Sequence, residues 1–137
     1  MTTTLSAAAR SARMTALVTQ LGASATAKLF NGAKPAALGT PAGTLLATLI
    51  YGTDVTAANG GTAGGVASGV LTLGGVTQNN ASNVAGTPTF VRFSTSAAVV
   101  VADIDVGAGA GNVQFNGTVA NAQNVTATGI TVTDGNA

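Results

Sequence analysis

Asp103 and Asp105 stand two residues apart at the end of the valine run in "SAAVVVADIDVGAGAG" (96–111), and they are half of the chain's four acidic residues. Two carboxylates that close are candidates for holding a divalent cation or for sharing acid–base work. A calcium site needs about six to eight oxygens. Here the supply is the two aspartates, the carbonyls of "GAGAG" and Asn112. The loop also lacks the D-x-[DN]-x-[DN]-G ligand series of an EF-hand. A glycosidase pair must flank the scissile bond at about 5–10 Å, and neighbours on one strand do not straddle a substrate. The chain has no His, no Cys and no Glu. That removes the commonest general base and metal ligand, every thiolate and one of the two carboxylate types. No catalytic site, metal site or cofactor is expected, and the chain is not expected to be an enzyme.

What remains for the aspartates is structural. On a strand they share one face with Val99 and Val101, while Val100, Ala102, Ile104 and Val106 take the other. Such a strand passes from a covered region into solvent, so the pair is expected to solvate a strand edge. An ion pair is the alternative. Arg92 lies mid-strand in "FVRF", in phase with Phe90. A hairpin about Thr95–Ala98 would bring Arg92 near Asp103, with Asp105 as a second candidate partner. If exposed, such a pair is worth less than about 1 kcal/mol. The glycine clusters "GAGAG" (107–111) and "NGGTAGG" (59–65) match neither a phosphate loop nor a dinucleotide fingerprint, and read as turns.

The elements that must position these residues follow from periodicity. "LSAAARSARMTALVTQLG" reads as a helix of good formers, with Met14, Leu17, Val18 and Leu21 on one face and Gly22 as C-cap. Arg10 falls on the same face one turn earlier, which suggests that the start of the helix leaves the core. After Gly22 the period is two. Strands are expected in 25–31, 44–52, 69–77, 87–95, 97–106, 112–118 and 125–133, punctuated by Gly, Pro and Asn. The stretch 52–69 reads as a long loop or an unseen edge strand. The expected fold is mainly β: an antiparallel β-sandwich of about seven to eight strands, Ig-like or jelly-roll-like, with a short N-terminal α-helix. Residues 1–22 form the arm and helix and 23–137 the sandwich, a single domain by length.

Composition narrows the function classes. Only 7% of residues are charged, with five basic against four acidic side chains and a net charge of +1. An ordinary domain carries about 25%. Five scattered cations make no basic stripe, so a nucleic-acid partner is not expected. The longest apolar run, "LLATLIY", is far short of the ~20 residues of a membrane span, so no membrane partner is expected. The first 27 residues resemble a signal peptide only loosely, because Thr15, Thr19 and Gln20 interrupt the apolar part. With Met1 in place, no cleavage is expected. There is no Trp and one Tyr, which leaves few platforms for sugars. A chain with so little charge is prone to self-association, as an assembly protein would be.

The order of "ARMTALVTQL", "ATAKLFNGAKP", "TLLATLIYG", "GVASGVLTLGGVTQNNASNVAGTPTFVRFST" and "NVTATGITVTDG" resembles a family of small virion structural proteins of tailed bacteriophages, over residues from about 10 to 135. Its motifs are strand patterns, not catalytic signatures. The resemblance implies a β-sandwich with a leading helix, made in the host bacterial cytoplasm and located in the virion. A capsid decoration (cement) protein is the first reading. A tail or neck component and a host-surface carbohydrate-binding module are the alternatives. The implied partners are the major capsid protein and copies of this chain, as a homo-oligomer (dimer or trimer) within a lattice. Candidate contacts are Thr2, Thr3, Thr4, Leu5, Arg10 and Arg13 in the arm and helix, and Asp54 and Asn59 in the 52–69 stretch.

Overall fold

The computed structural model describes residues 4–56, 64–78, 84–107, 113–114, 119–120, 125–127 and 130–134. The chain opens with helix α1 (Ala7–Leu21). Ser6 caps it, its Oγ accepting from the Ala9 N–H at 3.2 Å, so one orphan donor of the first turn is satisfied. At the other end Gly22, at φ 68°, donates its N–H to the Val18 carbonyl. Met14 and Leu21 are buried, with Leu17 and Val18 packed partly against them.

Ten strands follow among the described residues: β1 (Thr26–Phe30), β2 (Leu45–Ile50), β3 (Gly65–Ala67), β4 (Val70–Thr72), β5 (Val76–Gln78), β6 (Phe90–Ser94), β7 (Val100–Asp105), β8 (Val113–Gln114), β9 (Val125–Ala127) and β10 (Thr131–Thr133). They form a four-stranded sheet in the order β2-β1-β6-β7, a second in the order β3-β4-β10-β8, and the pair β5-β9. All these pairings are antiparallel. The molecule is therefore mainly β with one N-terminal helix, in the sandwich class.

The strand count exceeds the expected seven or eight for a physical reason. The segment 69–77 breaks at Gly74, whose N–H turns away to the Val55 carbonyl, so it yields β4 and β5 in different sheets. The segment 125–133 likewise divides into β9 and β10. The 52–69 stretch is not wholly a loop, for its end supplies β3, hairpinned onto β4.

Alternation places the core. Ala27, Leu29, Ala47, Leu49, Val91 and Phe93 of the first sheet join Leu71, Val113 and Val132 of the second in one buried cluster. The opposite face of the first sheet is covered as well. Residues 31–44, including a short 3-10 turn (Ala36–Leu38), lie against it. The neck of this loop is closed by Asn31, whose N–H donates to the Thr44 carbonyl and whose Oδ1 accepts from the Thr44 N–H at 2.7 Å. Gly43 permits the approach: a Cβ there would stand 1.6 Å from the Asn31 carbonyl oxygen. Under the loop, Phe30 and Phe90 stack at 5.1 Å between centroids, with planes 5° apart.

Candidate functional site

Beside that aromatic pair lies a buried polar cluster. Strand β6 pairs with β7 so that Arg92 stands directly opposite Asp103. The β6–β7 turn supports this register, with the Ala98 N–H donating to the Thr95 carbonyl and the Thr95 N–H to the Val99 carbonyl. Arg92 donates from Nε to Asp103 Oδ1 at 2.7 Å and from Nη2 to Asp103 Oδ2 at 2.6 Å. Nη2 also donates to the Gly39 carbonyl at 2.6 Å. The two side chains are 10% and 2% exposed. This is a bidentate, charge-assisted contact. It ties the covering loop to the sheet.

The electrostatics suit a clamp and not a reagent. The hydrogen bonds that Arg92 donates to Asp103 hold its pKa above its already high value, burial opposing them more weakly, so the guanidinium stays charged. Both Asp103 oxygens are occupied by that cation. Asp103 is thus not a solvating strand-edge residue as its position suggested, because the 31–44 loop removes water from its face.

Asp105 does not join Arg92. It accepts from Lys34 Nζ at 2.7 Å, in a pair 37% and 50% exposed. Lys34, from the covering loop, is a partner that the sequence did not single out; nothing local marks it, since it lies 71 residues from Asp105. Among the described residues there is no group of three His, Cys, Asp or Glu side chains that could hold a metal ion.

The candidate contact residues fall in different places. Thr2, Thr3 and Asn59 lie outside the described residues. Thr4 is exposed and Leu5 half-buried. Arg10 does not leave the core side: it packs on the turn of the β3–β4 hairpin, its Nε buried. Arg13, 57% exposed, places Nη1 3.3 Å from Oδ2 of Asp134, which is 4% exposed. The angle makes no hydrogen bond. Asp54 Oδ1 accepts from the N–H and hydroxyl of Thr56 at 2.7 and 2.6 Å, closing a local turn.

Tyr51 is a further buried polar group. It is 2% exposed, and its hydroxyl has no hydrogen-bond partner among the described residues. Burial pushes its pKa well above the usual phenol value. Among the described residues, no helix is long and apolar enough to cross a membrane.

No protein-family model, curated protein or solved structure gives a match to this chain.

Proposed function

We propose that this chain is a structural virion protein of a tailed bacteriophage, acting on the capsid surface as a decoration protein that cements neighbouring subunits. The observation that carries this reading is the use of its charges. Three of the four aspartates are taken up in intrachain ion pairs, Arg13–Asp134, Lys34–Asp105 and Arg92–Asp103. What is left outside is a weakly charged surface of Ala, Gly, Thr and Val, with Leu38, Leu45, Ile50, Val84 and Val99 exposed. Such a surface suits packing against other protein. Burial alone supplies the mechanism: stable contacts bury on the order of 800 Å² per partner, and repetition over a lattice multiplies modest contacts through avidity. The major capsid protein and further copies of this chain are the partners.

The carbohydrate-binding alternative has less support, because Phe30, Tyr51, Phe90 and Phe93 are all buried. The test is to purify particles carrying a tagged copy and locate it in a density map. Regular, near-complete occupancy on the shell is expected. Density at the neck or tail would favour the second structural reading, and absence from the particle would overturn both.

A further inference from the structure

The neck of the covering loop contains an Asn-Gly step, Asn31–Gly32. The chain has two more, Asn59–Gly60 and Asn116–Gly117, which lie outside the described residues. In such a step the glycine main-chain nitrogen can attack the asparagine Cγ, because no Cβ obstructs the approach. Whether a folded chain permits this depends on what holds the three groups involved. The attacking nitrogen is untied: the Gly32 N–H donates to no described residue. The Asn31 Nδ2, the departing group, donates to none either. The third group, Oδ1, accepts the Thr44 N–H at 2.7 Å. A donor therefore already points at the oxygen on which negative charge develops as Cγ becomes tetrahedral. The backbone on either side is pinned without using these groups, the Asn31 N–H donating to the Thr44 carbonyl and the Thr89 hydroxyl to the Gly32 carbonyl. Gly32 is exposed and Asn31 half-buried, so water reaches the pair.

We infer that Asn31 is a site of spontaneous deamidation in the folded chain, and that the reaction loosens the covering loop. The Gly32 nitrogen gives its proton to hydroxide and bonds to Cγ. The Cγ–Nδ2 bond breaks, Nδ2 leaves as ammonia, and a succinimide closes. Water then adds to one of the two imide carbonyls. Addition at Cγ restores the main chain and leaves aspartate; addition at the Asn31 main-chain carbonyl leaves isoaspartate, with the chain running through Cγ. One water is consumed and one ammonia released. Either product adds a carboxylate, so five basic side chains face five acidic ones in place of four, and the net charge falls from +1 to 0. Zero net charge favours association. Aspartate keeps an oxygen for the Thr44 N–H. Isoaspartate lengthens the main chain by a methylene, so the two Asn31–Thr44 bonds that close the neck can no longer form together. The loop is then held by Arg92 at Gly39 and by Lys34 at Asp105. The change is slow, one-way and needs no enzyme, and it stands apart from the particle assignment.

Peptide mapping by mass spectrometry, after incubating the unaltered chain in mildly alkaline buffer, tests this. Aspartate and isoaspartate should accumulate at residue 31, each carrying one heavy oxygen when the water is so labelled. Conversion at residue 31 in the folded chain should run within about tenfold of its rate in urea, because the Thr44 donor offsets the lost chain freedom. Asn31→Gln, whose longer side chain closes an imide ring far less readily, should abolish the product at that position and leave the rest of the map unchanged. The separated isoaspartate fraction should exchange its Thr44 and Gly39 amides about tenfold faster than the parent, and Asn31→Asp should not. Folded conversion more than about tenfold slower than in urea overturns the inference, since the neck would then protect Asn31. So does an isoaspartate fraction whose loop amides are as protected as the parent's.

Discussion

Arg92 and Lys34 both meet aspartates of β7, yet burial separates their energetic roles. Asp103 is almost sealed, at 2% exposure, whereas Asp105 is half in water. Arg92→Ala leaves a buried carboxylate without its cation, which costs about 3–5 kcal/mol. Lys34→Ala removes a screened surface partner and costs below about 0.5 kcal/mol. Urea denaturation should separate the two variants plainly; an Arg92→Ala loss under about 1 kcal/mol would mean that water reaches Asp103 in solution. The double variant Arg92→Met, Asp103→Leu should recover much of the loss, because an apolar pair needs no desolvation of charge. Tyr51 gives a prediction of the opposite sign. Its hydroxyl is buried without a partner among the described residues, so Tyr51→Phe should stabilise by about 1 kcal/mol. Because its pKa is raised in the folded state, the stability from the neutral phenol is complete below the unfolded value of about 10. It is lost as pH climbs toward the folded value, where the unfolded chain alone ionises. Denaturation followed from pH 8 to 11 should fall above about pH 10 in the parent and flatten in Tyr51→Phe.

At the scale of elements, two hairpins set the geometry, and each rests on a left-handed residue. The β3–β4 turn has Ser68 at φ 51° and Gly69 at φ 79°, the primed geometry that matches strand twist. Gly69→Ala adds backbone strain there and drives a Cβ to 2.7 Å from Arg10 Cβ, so a loss of at least ~1 kcal/mol is expected. The β6–β7 turn asks the same of Ala98, at φ 62°. Ala98→Gly should therefore stabilise by about 0.5–1 kcal/mol. Thermal melts of both variants check the pair, and two shifts of the same sign would contradict it. These hairpins also mark where the sequence is legible. Alternation in "FVRFST" and "AAVVVADIDV", with a turn between them, is enough to put Arg92 opposite Asp103, as β6 and β7 do. The covering loop is not legible, because its interactions reach distant partners: Gly39 to Arg92, and Lys34 to Asp105. That is why Asp103 reads as solvent-facing in sequence and is sealed in the fold. The same limit hides β3, whose "GVA" is too short to show a period and is recruited by its partner β4.

For the whole molecule, scarcity of charge is visible in composition, but its disposition is only partly so, since two of the three ion pairs, Arg13–Asp134 and Lys34–Asp105, join residues from remote segments. Once those pairs form, the free surface has little to oppose association. Leu38, 43% exposed on the covering loop, and Val99, 61% exposed on the β6–β7 turn, are apolar side chains in positions that fill no core. Replacing both by Lys takes the net charge from +1 to about +3. Folding should barely respond, within about 0.5 kcal/mol, because neither side chain fills a core or closes a buried polar contact. Association should respond strongly, since each contact would then have to desolvate an ammonium and bring like charges together. Light scattering over a concentration series should show the parent's average mass rising and the double variant's staying at the monomer value. Raising the salt should restore part of the parent's behaviour, because at 0.1 M exposed charges more than roughly 10 Å apart are largely screened, and at higher salt the distance shortens. Equal mass curves for parent and variant would mean that association uses neither surface, and would move the contact away from the covered face of the first sheet.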